Sequence, residues 1–273
     1  MSAPVNIKRL PRSYLFVPGI KPERFQKAVE SGVDAVIIDL EDAVAPQDKE
    51  SARSLVVDWL GSSSQIYIRI NAADTRWYEE DIAAFAHHPS VAGFVVPKAD
   101  SSLALNAIAA LGHADLVLLP IIESVAGFAS LQEIASSRSV QRLMFGTIDF
   151  QVDMGTQCED AELNSFRAQI TLASKLAGLG TPVDGVTTVL DDFAVIEAVG
   201  KMAKRFGFGG KLCIHPRQVA PVHAAFSHTD DEYEWARRVL VAAQISKGGV
   251  TVLDGTMIDL PVILKAKAIL AET

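Results

Sequence analysis

The chain has 273 residues, of which 49% are hydrophobic and 21% charged, and its formal net charge is −8. This length suits one large α/β domain, since α/β barrels of about 250 residues form a single core, and the composition is ordinary for a soluble globular protein. An acidic chain without a basic tract is a poor match for nucleic acid or an anionic membrane, so we expect neither as a partner.

Short apolar runs recur along the chain, with helical stretches between them. Continuous apolar runs, rather than alternating ones, are typical of parallel strands that are buried on both faces. The eight predicted strands are residues 14–17, 35–40, 66–70, 93–96, 117–122, 142–145, 181–186 and 211–214.

Glycine and proline bound most of the intervening segments, as they bound helices. The predicted helices are residues 22–31, 48–60, 75–87, 162–177 and 191–206. Repeated strand–helix units favour a closed (β/α)₈ barrel, or TIM barrel, over a doubly wound open sheet. The open sheet is further disfavoured because no G-x-G-x-x-G motif follows the first strand.

The pattern changes after the eighth strand. A long amphipathic helix is predicted over residues 230–247, followed by a hairpin that turns at Asp254 and Gly255 and a last helix from near Pro261. We therefore expect a catalytic TIM barrel over residues 1–225. Residues 226–273 would form a helix–turn–helix extension that serves as a lid or an oligomer contact.

The N-terminus and the cysteines suggest a compartment. Residues 1–10 lack the apolar stretch of a signal peptide, and no run approaches the roughly 18 apolar residues of a membrane helix. The two cysteines, Cys158 and Cys213, form neither a spaced metal motif nor a disulfide framework. Cys213 lies in an apolar run and is predicted to be a buried thiol. These features favour a cytoplasmic protein.

Polar residues follow most of the predicted strands. In a parallel barrel the carboxyl ends of the strands open on one face, where barrel enzymes place their chemistry. A rim of charges on an otherwise apolar scaffold is hard to explain by solvation alone. The residues of this rim are Asp39, Glu41, Asp42, Arg69, Asn71, Lys98, Glu123, Asp149 and His215.

Glu123 and Asp149 end successive predicted strands, so their carboxylates should converge at the barrel mouth. Two hard oxygen ligands, together with waters and a chelating substrate, suit Mg²⁺. The alternative interpretation is that each acidic residue caps a following helix.

Arg69 lies at the inner end of the third predicted strand. A cation there needs an anionic partner, because burying it alone costs several kcal/mol. It would clamp a carboxylate or a developing enolate oxygen, or it would form an internal ion pair with Glu41 or Glu123. Lys98 has the same two interpretations, of which the ion pair is favoured.

An ordered set of short motifs runs from Arg12 almost to the end of the chain. The motifs are R-S-Y-L-F-V-P-G at 12–19, P-E-R-F at 22–25, D-A-V-I-I-D-L-E-D-A-V at 34–44, R-I-N-A at 69–72, V-P-K-A at 96–99, P-I-I-E-S at 120–124, G-T-I-D-F at 146–150, C-I-H-P-R-Q-V at 213–219 and D-G-T-M-I-D-L-P at 254–261. Each motif alone is weak. Together they resemble the citrate lyase β-subunit family, within the wider group of metal-dependent barrel lyases that includes citramalyl-CoA and malyl-CoA lyases.

The resemblance implies roles for individual barrel residues. Glu123 and Asp149 would bind Mg²⁺, and Arg69 would contact the substrate. The pair in D-L-E-D, Asp39 and Glu41, would lie near metal-bound water and take part in catalysis.

The resemblance also implies a role for the tail. Asp259 would enter the site of a neighbouring subunit as an acid/base, which implies a homo-oligomer, and we expect a trimer or a hexamer. One departure is the pair Thr147 and Ile148, where relatives often carry an acidic residue. We expect this departure to tune the site rather than to abolish it.

The implied activity is cleavage or formation of a 3-hydroxyacyl-CoA such as citramalyl-CoA, malyl-CoA or citryl-CoA, with acetyl-CoA and a 2-oxo acid as products. Arg24 and Lys27, on the helix after the first strand, and Lys98 are candidates for binding the substrate or its CoA. Two other functions stay open. One is a metal-dependent aldolase for free acids, which Asp259 disfavours, and the other is a non-catalytic oxo-acid-binding protein, which the charged rim disfavours.

Overall fold

The computed structural model describes residues 10–61, 66–246 and 249–271. Its eight barrel strands are β1 (Ser13–Pro18), β2 (Ala35–Asp39), β3 (Ile66–Arg69), β4 (Val91–Val96), β5 (Val117–Ile122), β6 (Met144–Phe145), β7 (Val183–Asp184) and β8 (Gly210–Cys213). They pair in parallel in chain order, and β8 pairs back onto β1 to close the barrel. The predicted (β/α)₈ architecture is confirmed.

One or two helices follow each barrel strand. They are α1 (Phe25–Val29), α2 (Lys49–Trp59), α3 (Tyr78–Phe85), α4 (Ser102–Leu111), α5 (Val125–Ala129), α6 (Leu131–Ala135), α7 (Thr147–Met154), α8 (Asn164–Leu176), α9 (Phe193–Arg205) and α10 (Val219–Phe226). The helix predicted from residue 22 begins instead with a 3₁₀ turn, Pro22–Arg24, so that α1 itself has only five residues. Among the described residues, no helix has the length and apolar character needed to cross a membrane.

Alternate strand side chains fill the barrel interior, where Tyr14 and Tyr67 meet edge to face with ring centroids 5.8 Å apart. Side chains on the opposite faces of the strands, such as Ile38 and Phe94, are equally buried in a larger core that includes helix residues. Both faces of the sheet are therefore covered, which is why the strands are continuous apolar runs. Cys213 is fully buried, as predicted, and burial raises the pKa of its thiol to about 12.

Strands β6 and β7 are shorter than predicted by two residues or more. β6 begins at Met144 rather than at residue 142, because the preceding segment makes only an isolated bridge, between Leu118 and Val140. β7 is limited to two residues. Pro182 precedes it and has no N–H with which to extend the ladder.

Residues 227–271 form a compact unit of their own. Its elements are α11 (Asp230–Ile245), β9 (Thr251–Leu253), β10 (Thr256–Ile258) and α12 (Leu260–Ala271). The antiparallel hairpin turns at Asp254 and Gly255, with φ angles of 50° and 77°, as a D-G pair in a two-residue turn requires. The predicted end of the long helix, at Lys247, lies outside the described residues.

The tail unit has a small core between α11 and α12. Val239, Ile258 and Ile269 are among its buried residues. At its edge the ammonium group of Lys265 lies 5.3 Å from the ring centroid of Trp235. In the barrel, by contrast, Trp59 packs edge to face on Phe25.

Candidate active site

Glu123 directly follows β5 and is almost fully buried, with 5% of its surface exposed. Its Oε1 accepts a hydrogen bond from the backbone N–H of Lys98 at 2.7 Å. Its Oε2 lies so close to Gly146 that a methyl group on that residue would overlap with it. The carboxylate is thus held between the ends of β4 and β6.

Burial raises the pKa of Glu123 to about 8. The negative charges of Glu41 and Asp149 raise the pKa further, whereas the hydrogen bond from Lys98 and the charge of Arg69 lower it. The ionised form of Glu123 is therefore costly unless a cation lies beside it.

Asp149 lies on the first turn of α7 and not at the end of a strand, which corrects the sequence interpretation. Strand β6 ends at Phe145, and the chain turns into the helix through Gly146. The next residue, Phe150, anchors the helix by packing on Phe145 and Phe128, with ring centroids 5.6 and 4.6 Å away.

Glu123 and Asp149 line one cavity of about 380 Å³ at the carboxyl ends of the strands. The predicted convergence of the two carboxylates is therefore found. The other residues of the lining are Phe16, Pro18, Asp39, Asp42, Ala43, Arg69, Ile121, Gly146, Thr147, Ile148, Val186, Leu212 and Ile214.

Arg69 ends β3 and forms a two-pronged ion pair with Asp39. Its Nε and Nη2 donate to the two carboxylate oxygens at 2.7 and 2.6 Å. Its Nη1 lies 2.9 Å from Glu41 and 3.3 Å from Asp42, and its guanidinium lies 4.7 Å from the ring centroid of Phe16. These carboxylates raise the pKa of Arg69 against the opposing effect of burial. The internal ion pair of Arg69 is thus present. Its main partner is Asp39, whereas the sequence had suggested Glu41 or Glu123.

Asp39 holds the Arg69 side chain and the turn after β2 in place. Besides binding Arg69, its two oxygens accept backbone N–H bonds from Glu41 at 2.9 Å and Ala43 at 3.2 Å. Its carboxylate therefore fixes both the guanidinium plane and the turn that carries Glu41.

Glu41 is buried beside this pair, and burial raises its pKa despite the neighbouring cations Arg69 and Lys98. Its Oε1 accepts a 2.9 Å hydrogen bond from the ammonium group of Lys98. Lys98 has a left-handed backbone, with φ of 47°, and this lets one residue aim its N–H at Glu123 and its side chain at Glu41. The interpretation of Lys98 as an ion-pair partner fits this geometry, and it does not line the cavity.

Lys49 was not foreseen. It is buried at the start of α2, and its ammonium group donates to the backbone carbonyls of Leu40 and Glu41 at 2.7 and 2.6 Å. Desolvation lowers the pKa of Lys49, while nearby carboxylates, of which Asp39 has the largest effect, raise it. A lysine on a helix ordinarily indicates a solvated face, so its sequence position carried no signal.

The charges at the site suit a divalent cation. Three carboxylates, Asp39, Glu41 and Asp42, have three cations near them, Arg69, Lys98 and Lys49. Among the residues that the structure describes, neither Glu123 nor Asp149 forms a salt bridge with a cationic side chain. Within the described ranges no cluster of three or more His, Cys, Asp or Glu side chains could hold a metal. Two carboxylates that leave room for water and substrate oxygens suit Mg²⁺.

Several predicted residues lie away from the cavity. Arg24 and Lys27 are exposed, and neither is on the lining. Asn71 is buried against Asp81, which accepts its backbone and side-chain N–H groups, and His215 caps the 3₁₀ turn Pro216–Gln218. Asn71 therefore ties the end of β3 to α3, and His215 holds the turn that follows β8.

Asp259 lies in the tail unit. It is half-buried, and its side chain accepts a 3.3 Å hydrogen bond from the N–H of Val262 in the first turn of α12. Its other carboxylate oxygen accepts no hydrogen bond from the described residues.

Comparison with known proteins agrees with this geometry. The model of the HpcH/HpaI aldolase/citrate lyase family matches residues 12–216. A citrate lyase subunit beta-like protein of Deinococcus radiodurans is 32% identical, covering 96% of both chains. A (3S)-malyl-CoA thioesterase of Cereibacter sphaeroides is 34% identical, covering 96% of this chain and 94% of the relative.

A solved structure is similar over almost the whole chain. CitE of Mycobacterium tuberculosis, in complex with magnesium, acetoacetate and coenzyme A, superposes with a TM-score of 0.85 at 29% identity, covering 96% of this chain and 97% of CitE. The motif order, the closed barrel and these matches agree, and the chain belongs to the HpcH/HpaI aldolase/citrate lyase family.

Proposed function

We propose that this chain is a magnesium-dependent carbon–carbon lyase that cleaves, or in reverse forms, a 3-hydroxyacyl-CoA thioester, with acetyl-CoA and a 2-oxo acid as products. The observation that carries the proposal is the pair Glu123 and Asp149, which line one cavity with Arg69 but form no salt bridge with any cationic side chain of the described residues. CitE, whose structure holds magnesium, acetoacetate and coenzyme A, supports the ligand classes. Other CitE structures hold magnesium with pyruvate or with oxaloacetate.

Glu123 and Asp149 would hold the metal ion. Bound Mg²⁺ would act as a Lewis acid on the carboxylate and the adjacent hydroxyl oxygen of the substrate, which lowers the pKa of that hydroxyl. Gly146 and Lys98 orient Glu123 for this role, since one limits the space at Oε2 and the other binds Oε1.

Glu41 is the proposed acceptor of the hydroxyl proton through a water molecule, because it lies 2.9 Å from Arg69 just outside the cavity lining and burial raises its pKa, which makes it a better base. As that proton leaves, the hydroxyl carbon becomes the carbonyl of the oxo acid. The electrons of the broken carbon–carbon bond move into the thioester, which becomes an enolate.

Arg69 would stabilise the enolate oxygen. Each terminal nitrogen of a guanidinium carries two hydrogens, so the single bond from Nη2 to Asp39 leaves one N–H for a ligand. Because Asp39 fixes the guanidinium plane, that N–H is oriented before the charge develops.

Asp259 of a neighbouring subunit would protonate the enolate carbon, and in the reverse direction it would remove the same proton. The tail unit has an exposed apolar surface that supports association with another copy, with Ile245 79% exposed and Val252 66% exposed. The proposed assembly is a homo-oligomer, a trimer or a hexamer. Arg24 and Lys27 are the proposed contacts to CoA, because they are exposed cations on the segment that follows β1.

Thioester hydrolysis is a second candidate, because a relative at 34% identity is named a thioesterase. In this chain Oε2 of Glu41 is buried 2.9 Å from Arg69, and it accepts no hydrogen bond from any described residue. The same carboxylate would then take a proton from a water molecule that attacks the thioester carbonyl.

Product analysis separates these functions. The full-length protein with Mg²⁺ would be incubated with malyl-CoA, citramalyl-CoA and citryl-CoA, and with the matching free acids, with Glu123→Ala as the inactive control. We expect acetyl-CoA and a 2-oxo acid from at least one thioester, and loss of both products with a chelator. Free CoA and an intact hydroxy acid would indicate hydrolysis instead. Cleavage of the free acids alone would indicate an aldolase, and turnover of nothing would indicate a binding protein.

A further inference from the structure

The carboxylate of Asp149 is positioned by its helix rather than by hydrogen bonds. No N–H or O–H group of the described residues donates to it, and α7, which carries it, has no side-chain cap at its start. The place of this proposed metal ligand therefore depends on the contacts that fix α7 against the neighbouring elements.

Aromatic packing holds α7 close to its neighbours. Phe150 contacts Phe128 of α5 and Phe166 of α8, with a distance of 4.6 Å between ring centroids in both pairs. Contacts of this kind are non-directional and individually weak, so a helix held by them alone could slide or rotate slightly at little cost. A directional contact is needed to fix the side chains of α7 relative to α5.

Asp153 supplies this directional contact. It lies one turn after Asp149, and residues four apart in a helix are neighbours on one face. Its Oδ2 accepts a 2.7 Å hydrogen bond from the backbone N–H of Val125, the first residue of α5. Among the described residues this is the one hydrogen bond between a side chain of α7 and another element. Because Val125 follows Glu123 by two residues, the bond closes a short loop between the two proposed metal ligands.

The start of α5 is itself firmly placed. The Oγ of Ser124 accepts a hydrogen bond from the N–H of Gly127 at 3.0 Å. Gly127 lies so close to the carbonyl oxygen of Ala99 that a methyl group on it would overlap with that oxygen. Ala99 follows Lys98, whose N–H binds Glu123. The start of α5 and Glu123 therefore share one set of contacts with the end of β4, and α7 is attached to this set from outside.

We infer that Asp153 is a positioning residue that fixes the separation of the Glu123 and Asp149 carboxylates, and that it thereby favours Mg²⁺ over the larger Ca²⁺. Mg²⁺ requires nearly octahedral geometry with oxygen ligands at about 2.0–2.1 Å, whereas Ca²⁺ accepts irregular sites with ligands at about 2.3–2.6 Å. Two carboxylates that are free to move apart would therefore lose the smaller ion first. The inference rests on the proposed function for its metal site, but it concerns ion selectivity, which can be measured without turnover.

The first test is calorimetric titration of Mg²⁺ and, separately, of Ca²⁺ into the full-length protein. Asp153→Ala removes the bond to Val125, and because Asp153 is exposed the change leaves no buried cavity. We expect the Mg²⁺ affinity to fall about tenfold, the lower end of the effect of outer-shell partners of a metal. The Ca²⁺ affinity should fall by less than about threefold, because Ca²⁺ tolerates a less regular site. An unchanged ratio of the two affinities would overturn the inference.

Two further variants separate position from charge and from a general effect on the fold. Asp153→Asn keeps an oxygen that can accept the N–H of Val125 but removes the negative charge, so it should retain the wild-type ratio of affinities. A ratio as low as in Asp153→Ala would show that charge is the cause and would overturn the inference. Asp192→Ala removes another exposed side-chain acceptor, 3.1 Å from the N–H of Val195 in α9. It should leave both metal affinities unchanged, and a lowered ratio there would also contradict the inference.

Hydrogen–deuterium exchange tests the bond itself in metal-free protein. The backbone N–H of Val125 should exchange faster in Asp153→Ala than in the wild type, and at close to the wild-type rate in Asp153→Asn. Equal exchange in all three proteins would overturn the inference, because the bond would then not hold α5 to α7. A wild-type protein that binds no Mg²⁺ would count against the proposed function and the inference together, whereas Mg²⁺ binding with an unchanged affinity ratio in Asp153→Ala would count against the inference alone.

Discussion

At the residue scale, the carboxylates of the cavity differ in what neutralises them. Asp39 is saturated by Arg69 and by backbone N–H groups, and it is part of the scaffold. Glu123 accepts a hydrogen bond from the backbone N–H of Lys98, the one such bond to its carboxylate within the described part of the chain, and its pKa is raised. A buried carboxylate without a cationic partner, such as Glu123, destabilises the fold when it is ionised unless a cation binds to it. Glu123 is therefore the residue at which metal binding and the stability of the fold are most closely coupled.

Removing Glu123 should remove the metal. Glu123→Ala is expected to weaken Mg²⁺ binding at least about 100-fold, since even outer-shell partners of a metal contribute about 10- to 100-fold, and to leave the fold intact. The measurement is calorimetric titration of Mg²⁺, with circular dichroism as the check on folding. Glu133→Ala, which removes an exposed acidic residue on α6, is the control. Unchanged Mg²⁺ affinity in Glu123→Ala would show that the metal assignment is wrong.

The shape of the Arg69 side chain should matter as well as its charge. Arg69→Lys keeps the charge but cannot bind both oxygens of Asp39, so the enolate would lose an oriented donor. We expect kcat to fall at least about tenfold, or roughly 1.4 kcal/mol. Arg53→Lys changes a second paired arginine, whose Nε donates to Asp81 at 2.8 Å outside the cavity, and should affect the free energy of unfolding but not kcat. Wild-type kcat/KM in Arg69→Lys would make Arg69 a structural residue only.

At the element scale, the sequence predicted the strands and turns that depend on short-range patterns of residues. Eight apolar runs predict the strand order, and the D-G pair predicts the hairpin turn between β9 and β10. The position of Asp149 could not be obtained this way, because β6 has only two residues and the chain enters α7 through Gly146. Lys49 was missed for a related reason, since its burial depends on carbonyl groups from a different element.

A buried ion cluster joins β7, β8 and α8. Asp184 is fully buried, 2.8 Å from both Arg167 and Lys211. Its desolvation would raise its pKa, but the two cations outweigh that effect, so the folded-state pKa of Asp184 is lowered. A lowered pKa gives stabilisation that is complete above about pH 5 and is lost as the pH falls through the folded pKa, below the usual value of about 3.9.

Asp184→Asn should therefore reduce the free energy of unfolding at pH 7 by about 3–5 kcal/mol, because buried Lys211 loses its carboxylate partner and buried Arg167 keeps only Asp160. The loss of stability between about pH 5 and pH 3 should also become shallower than in the wild type. Denaturant unfolding across this pH range measures both effects. Asp191→Asn breaks the exposed pair with Arg217 and should change stability by less than about 1 kcal/mol. Equal effects of the two substitutions would contradict this account.

At the scale of the whole molecule, residues 10–226 and 227–271 are two compact units with separate apolar cores. The barrel unit contains the proposed metal ligands, Arg69 and Glu41, whereas Asp259 belongs to the tail unit. The sequence predicted that the pattern changes between these parts, but the placement of Asp259 in a neighbour's site depends on family resemblance alone.

Mixed oligomers test whether Asp259 acts in a neighbouring subunit. Glu123→Ala and Asp259→Ala chains should each be nearly inactive alone, since one lacks the metal and the other the acid/base. Co-assembled chains should regain part of the activity, because some sites would combine an intact barrel with an intact tail. The measurement is kcat after subunit exchange has been demonstrated with differently tagged chains. Exchange without recovery would mean that Asp259 serves its own barrel or is not catalytic.

The three tryptophans divide between the two units, and this gives each unit its own fluorescence signal. Trp59 and Trp77 belong to the barrel, and Trp235 lies in the tail beside Lys265. Replacing the two barrel tryptophans with phenylalanine would leave emission from the tail alone. The wavelength and quenching of that emission would then follow the surroundings of α11, independently of whether the barrel turns over substrate.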